Sequence, residues 1–169
     1  MLKIIGAKGQ IKNVDLLIEQ VVSFAQEKNI VIQALNADMI YGVNHLISSV
    51  DHAKRAMRHN SNTTNSLSME ILLYASGERQ LKLAIPKMGI KQGKSNVAFV
   101  FADGKISDEL VNDLLKKLSL TQDDKVLEGD INTLKKFGIN KKAMATVSKD
   151  RYGDLILEKV AMVDIIKYI

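Results

Sequence analysis

Only three runs in this chain have the composition of β-strands, Leu2–Ala7, Ile30–Leu35 and Ser95–Ala102, and long stretches of helical periodicity separate them. Strands so far apart in sequence cannot form a simple meander of hairpins. They must meet in a small sheet while the intervening helices pack around it, which is the α+β class. The expectation is a mixed sheet of about three to four strands with six to eight helices. With 169 residues, one proline and no linker-like stretch, the chain reads as a single domain over residues 1–169.

The helices announce themselves by their caps. Asn13 precedes a face made of Val14, Leu17, Ile18, Val21, Val22 and Ala25. Asn36 or Asp38 opens a helical stretch that continues past Gly42 to about His59, and residues 60–65 (NSNTTN) are turn chemistry. Helices are expected from Asn65 to Ser76 and from Glu78 to Met88, stopped by Gly77 and Gly89, with Pro86 kinking or shortening the second. Asp103-Gly104 turns the chain after the third strand. Ser107 caps a helix to Lys117, and shorter helices follow around Ile131–Phe137 and Asn140–Ser148.

Several function classes fall away. Without cysteine there is no disulfide, thiolate nucleophile or cysteine-ligated metal, and the lack of thiols suits a reducing cytosol. No run approaches 18 consecutive apolar residues, and the first residues lack the apolar core of a signal peptide. Gly89–Ser95 has three residues between its glycines where a phosphate-binding loop needs four, and it follows a helix rather than a strand. Gly6-Ala7-Lys8-Gly9 matches a G-x-x-G clamp in four residues but reads as a turn after a strand. His45, His52 and His59 recur every seven residues, roughly 10.5 Å apart along a helix, too far to share one metal ion. On the helical wheel they lie opposite the stripe of Val43, Leu46, Ile47, Val50, Ala53 and Met57, beside Arg55. That is either a solvated polar face or one that meets phosphate or an acidic protein. Asp123, Asp124, Glu128 and Asp130 read as caps and loop charges. No nucleophile–base arrangement stands out, so no catalytic residue, cofactor or metal site is assigned.

Two segments are more apolar than one core-facing stripe requires. In Leu67–Ala75, Leu67, Ile71, Tyr74 and Ala75 make one face and Met69, Leu72 and Leu73 another. In Leu155–Ile169 eleven of fifteen residues are apolar, so every direction is covered. Such helices are either central in a domain or pressed against a partner. Burial suits the first and a partner the second, because a terminal helix is seldom wrapped on all sides.

Residues 65–80 (NSLSMEILLYASGERQ), followed by a helix ending in Met88-Gly89-Ile90, resemble the Cgi-type kinase-binding subunit of the KEOPS complex, in its archaeal form. Gln33–Ala37 leading to His45-Leu46 and Ala53, the strand Val97–Phe101 and the segment Glu158–Asp164 are similar to the same family, while Pro86 departs from its leucine-rich helix. The resemblance implies a non-catalytic, cytoplasmic subunit of the complex that installs threonylcarbamoyl-adenosine in tRNA. Such a subunit binds and stimulates the small Bud-type kinase/ATPase, meets the other subunits indirectly, and captures the single-stranded CCA end of tRNA. It takes no small-molecule substrate. On this expectation Met69, Leu72, Leu73, Val163, Ile165 and Ile166 anchor the kinase, and Arg55, Arg58, His59, Asn60, Asn62, Arg79 and Lys82 face tRNA. The net charge of +5 permits a polyanionic partner without demanding one, and leaves two rivals. One is a stand-alone basic RNA-binding module; the other is a histidine-dependent RNA enzyme.

Overall fold

The computed structural model describes every residue, Met1–Ile169. In chain order the elements are β1 (Leu2–Ile11), α1 (Val14–Lys28), β2 (Val31–Asn36), α2 (Val43–Arg58), α3 (Leu67–Ser76), α4 (Leu81–Met88), β3 (Gly93–Ala102), α5 (Asp108–Leu118), β4 (Thr121–Gln122), α6 (Ile131–Lys136), α7 (Lys141–Met144) and α8 (Tyr152–Ile166). The α+β class, four strands and eight helices agree with the sequence. All strand pairings are antiparallel where a mixed sheet was expected. The elements fall into two compact units.

The first unit comprises Met1–Asp38 and Gly89–Leu127. Its sheet has the order β2-β3-β1-β4, with β1 and β3 paired over ten residues from Leu2↔Ala102 to Ile11↔Gly93. Alternation sends Ile5, Ala7, Ile11, Val97, Phe99 and Phe101 to one face. There they form a core with Leu17, Val21 and Phe24 of α1 and Val111, Leu114, Leu115 and Leu118 of α5. Every residue from Val97 to Ala102 is buried, which is why β3 reads as an unbroken apolar run. Asn13 and Ser107 cap α1 and α5 as expected, accepting from the Leu16 and Leu110 amides. Gly6 is required by close approach: a Cβ there would lie 2.5 Å from the Asp123 carbonyl oxygen. Asp124, read as a cap or loop charge, instead accepts the Gly6 amide of β1 at 2.9 Å.

The second unit comprises Met39–Met88 and Glu128–Ile169. At its centre is α3, packed by α2, α4 and α8 and buried without interruption from Glu70 to Ser76. The helical stretch expected from residue 36 or 38 is broken. Ala37–Met39 forms a single 3-10 turn, and Gly42, at φ +81°, opens α2 instead. Gly77, in the left-handed region, ends α3 as predicted, and Pro86 lies in the last turn of a short α4.

Candidate functional site

The loop between α2 and α3 is the best-braced irregular segment of the second unit. It starts with Asn60 at φ +54°, a conformation asparagine tolerates, and the Ser61 amide reaches back to the Ala56 carbonyl at 2.9 Å to close the helix. From below, the wholly buried Glu70 accepts the Thr63 amide at 3.1 Å, the Thr64 amide at 2.9 Å and the Thr64 hydroxyl at 2.8 Å. From the side, Lys167 donates to the Ser61 carbonyl at 2.7 Å. Asn62 donates to the Thr64 carbonyl, whereas Arg58, His59 and Asn60 point outward, exposed. Five of the seven residues expected to face tRNA (Arg55, Arg58, His59, Asn60 and Asn62) therefore gather where α2 ends.

A polar network fastens this corner to α8. The Tyr74 hydroxyl donates to Asp164 at 2.5 Å and accepts from Lys167 at 2.8 Å, and the Lys167 side chain is only 3% exposed. Burial, then the bond to Asp164, raises the Tyr74 phenol far above its ordinary range, so it stays a proton donor. Desolvation pushes the Asp164 carboxyl up, but hydrogen bonds from Tyr74 and His52 and the Lys167 charge outweigh it and hold the group below its usual range. His52 Nδ1 lies 2.7 Å from Asp164 and 2.8 Å from Arg55 Nη2. A ring nitrogen donating to the carboxylate cannot also accept from a guanidinium, so the imidazole bonds Asp164 and Arg55 sits 3.8 Å from the same carboxylate. Part of the Arg55 charge is thereby spent within the protein.

Arg79 and Lys82 are exposed at the opposite end of α3. A helix of ten residues spans roughly 15 Å, so a single base or phosphate cannot touch both groups. The expected histidine face dissolves. His45 is buried, His52 is half-buried against Asp164 and Tyr74, and only His59 is exposed. The wheel assumed one wall for α2, whereas α3 and α8 both pack on it. His45 Nδ1 accepts the Tyr41 amide at 3.1 Å, which leaves Nε2–H to donate to the Ala75 carbonyl at 2.8 Å. Burial is the main cause that lowers its pKa from 6.5 to about 4. Between those values the unfolded chain binds the extra proton. Stability is accordingly complete above about pH 6.5 and falls as pH drops toward 4, by roughly 3 kcal/mol in all. Urea midpoints measured from pH 4 to 8 should decline across that window in the parent and flatten in His45→Gln, and a flat parent profile would contradict the assignment.

The apolar anchors divide. Leu72, Leu73 and Val163 are 4%, 0% and 0% exposed, so they are interior residues and not surface anchors. Leu72 and Leu73 are enclosed because α3 is walled on every side, and Val163 because it shares with Ile156 and Val160 the inward stripe of α8. Met69 and Ile166 are half-buried. Ile165 is 59% exposed, and beside it stand Met162, Tyr168 and Ile169, all exposed and none of them among the expected anchors. The i, i+3 and i, i+4 spacing of these four residues in the most apolar terminal stretch was the available signal. An open recess where α2 begins, lined by Tyr41, Asn44, Glu128, Asp150 and Asp154, carries three carboxylates and suits no polyanion.

No helix is long and apolar enough to cross a membrane. Residues 9–164 match a family described as kinase binding protein CGI-121. The chain is 31% identical over 139 residues, spanning 80% of it and 84% of the relative, to the regulatory protein Cgi121 of Methanocaldococcus jannaschii.

Proposed function

Since the chain belongs to the CGI-121 family of kinase-binding proteins, we propose that it is a regulatory, non-catalytic subunit of a KEOPS-type complex. It docks on the Bud-type kinase and brings tRNA to the machinery that makes threonylcarbamoyl-adenosine. The observation that carries the kinase half is the outer strip of α8 and the residues after it. Met162, Ile165, Tyr168 and Ile169 expose an apolar surface that water covers poorly, while Ile156, Val160 and Val163 hold the helix to the unit from its other side. Docking there buries large side chains at the centre of an interface, where such residues contribute most. Ile166, half-buried in the last turn of α8, adjoins it in sequence.

Arg55, Arg58 and His59 at the end of α2, with Asn60 and Asn62 on a loop fixed before any ligand arrives, support the capture of a single-stranded end. Cations neutralise phosphates while amides and backbone groups read base edges. Single strands are usually gripped by stacking on aromatic rings, yet all four phenylalanines and Tyr74 are buried, Tyr41 and Tyr152 are half-buried, and the exposed Tyr168 belongs to the apolar strip given to the kinase. Stacking therefore falls to the His59 ring and the Arg58 guanidinium. Arg79 and Lys82, at the other end of α3, serve the backbone further along.

The test is tRNA affinity with intact and CCA-trimmed substrate, with and without the kinase. Trimming is expected to weaken binding at least tenfold, and a kinase-bound sample should show the same dependence. Equal affinity for both substrates would favour a stand-alone basic RNA-binding module instead.

A further inference from the structure

We propose that the α6–α7 hairpin is a second tRNA contact, which grips phosphate backbone through Lys135, Lys136, Lys141 and Lys142; this rests on the tRNA-binding reading above. From Asn132 to Ser148 there is no aspartate or glutamate, so these 17 residues carry +4 of the net +5 of the whole chain. All four ammonium groups are exposed, and none is engaged by a carboxylate. The nearest acids in sequence have other partners, Asp130 capping α6 and Asp150 accepting from the Ser148 hydroxyl, although Asp150 also lines the acidic recess at the start of α2 with Glu128 and Asp154.

The hairpin is rigid. Phe137 and Ile139 are buried on either side of an exposed Gly138. Phe137 packs edge-on to His45 with ring centroids 5.4 Å apart, and the Lys87 ammonium sits 4.2 Å from its centre. The Gly138 and Ile139 amides close α6 on the Lys135 and Leu134 carbonyls, and Asn140 accepts the Ala143 amide to open α7. Gly138 has φ +76° and open space where a Cβ would stand, so a backbone can come close between the two lysine pairs. The main chain that carries the four lysines is thus ordered before a ligand arrives.

The chemistry selects a polynucleotide. Apart from the lysines, the exposed residues from Ile131 to Thr146 are Ile131, Asn132, Gly138, Asn140, Ala145 and Thr146. Ile131, 49% exposed where α6 begins, is the single large apolar side chain among them, too little for the apolar centre that a protein interface needs or the apolar insertion that holds a helix in a lipid surface. Charge without side-chain variety recognises a repeating phosphate. Through Phe137 and His45 the hairpin adjoins the first turn of α2, and Arg58 and His59 lie where that helix ends, roughly 24 Å away at 16 residues. The two sites therefore meet different nucleotides.

The experiment compares the full chain with the quadruple variant K135Q/K136Q/K141Q/K142Q for tRNA binding between 50 and 200 mM KCl. With about two to four phosphates no longer neutralised, the slope of log affinity against log salt should shrink by about 2 to 3, and affinity at low salt should fall at least tenfold. The loss should be equal on CCA-trimmed tRNA, and the four-arginine counterpart should bind like the parent. Unchanged affinity and slope in the glutamine variant overturn the proposal. So does a variant that binds tRNA normally but loses attachment to anionic vesicles or to polyglutamate. A parent chain that binds no tRNA at any salt overturns instead the reading on which the proposal rests.

Discussion

Replacing Ile165 with glutamate is expected to weaken the kinase complex by about a hundredfold, and the double change with Met162→Glu to remove it at micromolar concentrations. Ile165 is the most exposed large apolar residue within α8. A carboxylate at the centre of a dry contact forfeits the apolar gain and must lose its water, a penalty of about 3 kcal/mol or more, which is two decades of affinity. Fold stability should barely move, since the site is open to solvent in the free subunit. Val163→Glu, two residues away, is the contrasting control: its side chain is 0% exposed, so the same chemistry there unfolds the protein. Calorimetric titration against the kinase, paired with thermal melts of each variant, separates the two outcomes. A fully retained complex in the double variant would place the kinase elsewhere.

Glu70→Ala is expected to cost about 3 kcal/mol or more, lowering the melting temperature by roughly 10 °C. The substitution removes the acceptor for two backbone amides and one hydroxyl in an interior where Glu70 itself has no exposed surface. Those donors cannot all find water without opening the loop. Because Asn60 and Asn62 stand on that loop, affinity for tRNA should fall with stability, even well below the melting temperature. Glu70→Gln keeps one oxygen but turns an amide toward the threonine donors, so it should lie between parent and alanine. Denaturant midpoints within 1 kcal/mol of the parent would show that the loop has another brace.

What the sequence made legible was local. Asn13, Ser107 and Gly77 act where they were expected because a cap depends on a few adjacent residues. The run around Phe99 could only be a buried strand. The two-residue β4 had no periodicity to reveal it, and Gly42 broke a helix whose apolar spacing ran straight through it. The candidate site was harder, because periodicity gives the direction of one wall and α2 and α3 each have several. Leu72 and Leu73 formed a second apolar face that periodicity already favoured burying, and only their expected role as kinase anchors put them at a surface, whereas His45 read as solvent-facing until α3 covered it. Glu70 carried no sign of its role: a lone acid among leucines looks like an exposed interruption, and only the return of the loop over it supplies its donors. The turn at Asn60 was legible because turn chemistry is written in the sequence itself.

Lys167 follows α8, a position where a lysine ordinarily waves in solvent, yet its ammonium has given up water for the Ser61 carbonyl, 106 residues distant along the chain, and the Tyr74 hydroxyl. A cation stripped in this way cannot be abandoned by its acceptors without severe penalty. Fraying of the last helical turn consequently removes one brace of the α2–α3 loop, so the two segments are coupled through that lysine.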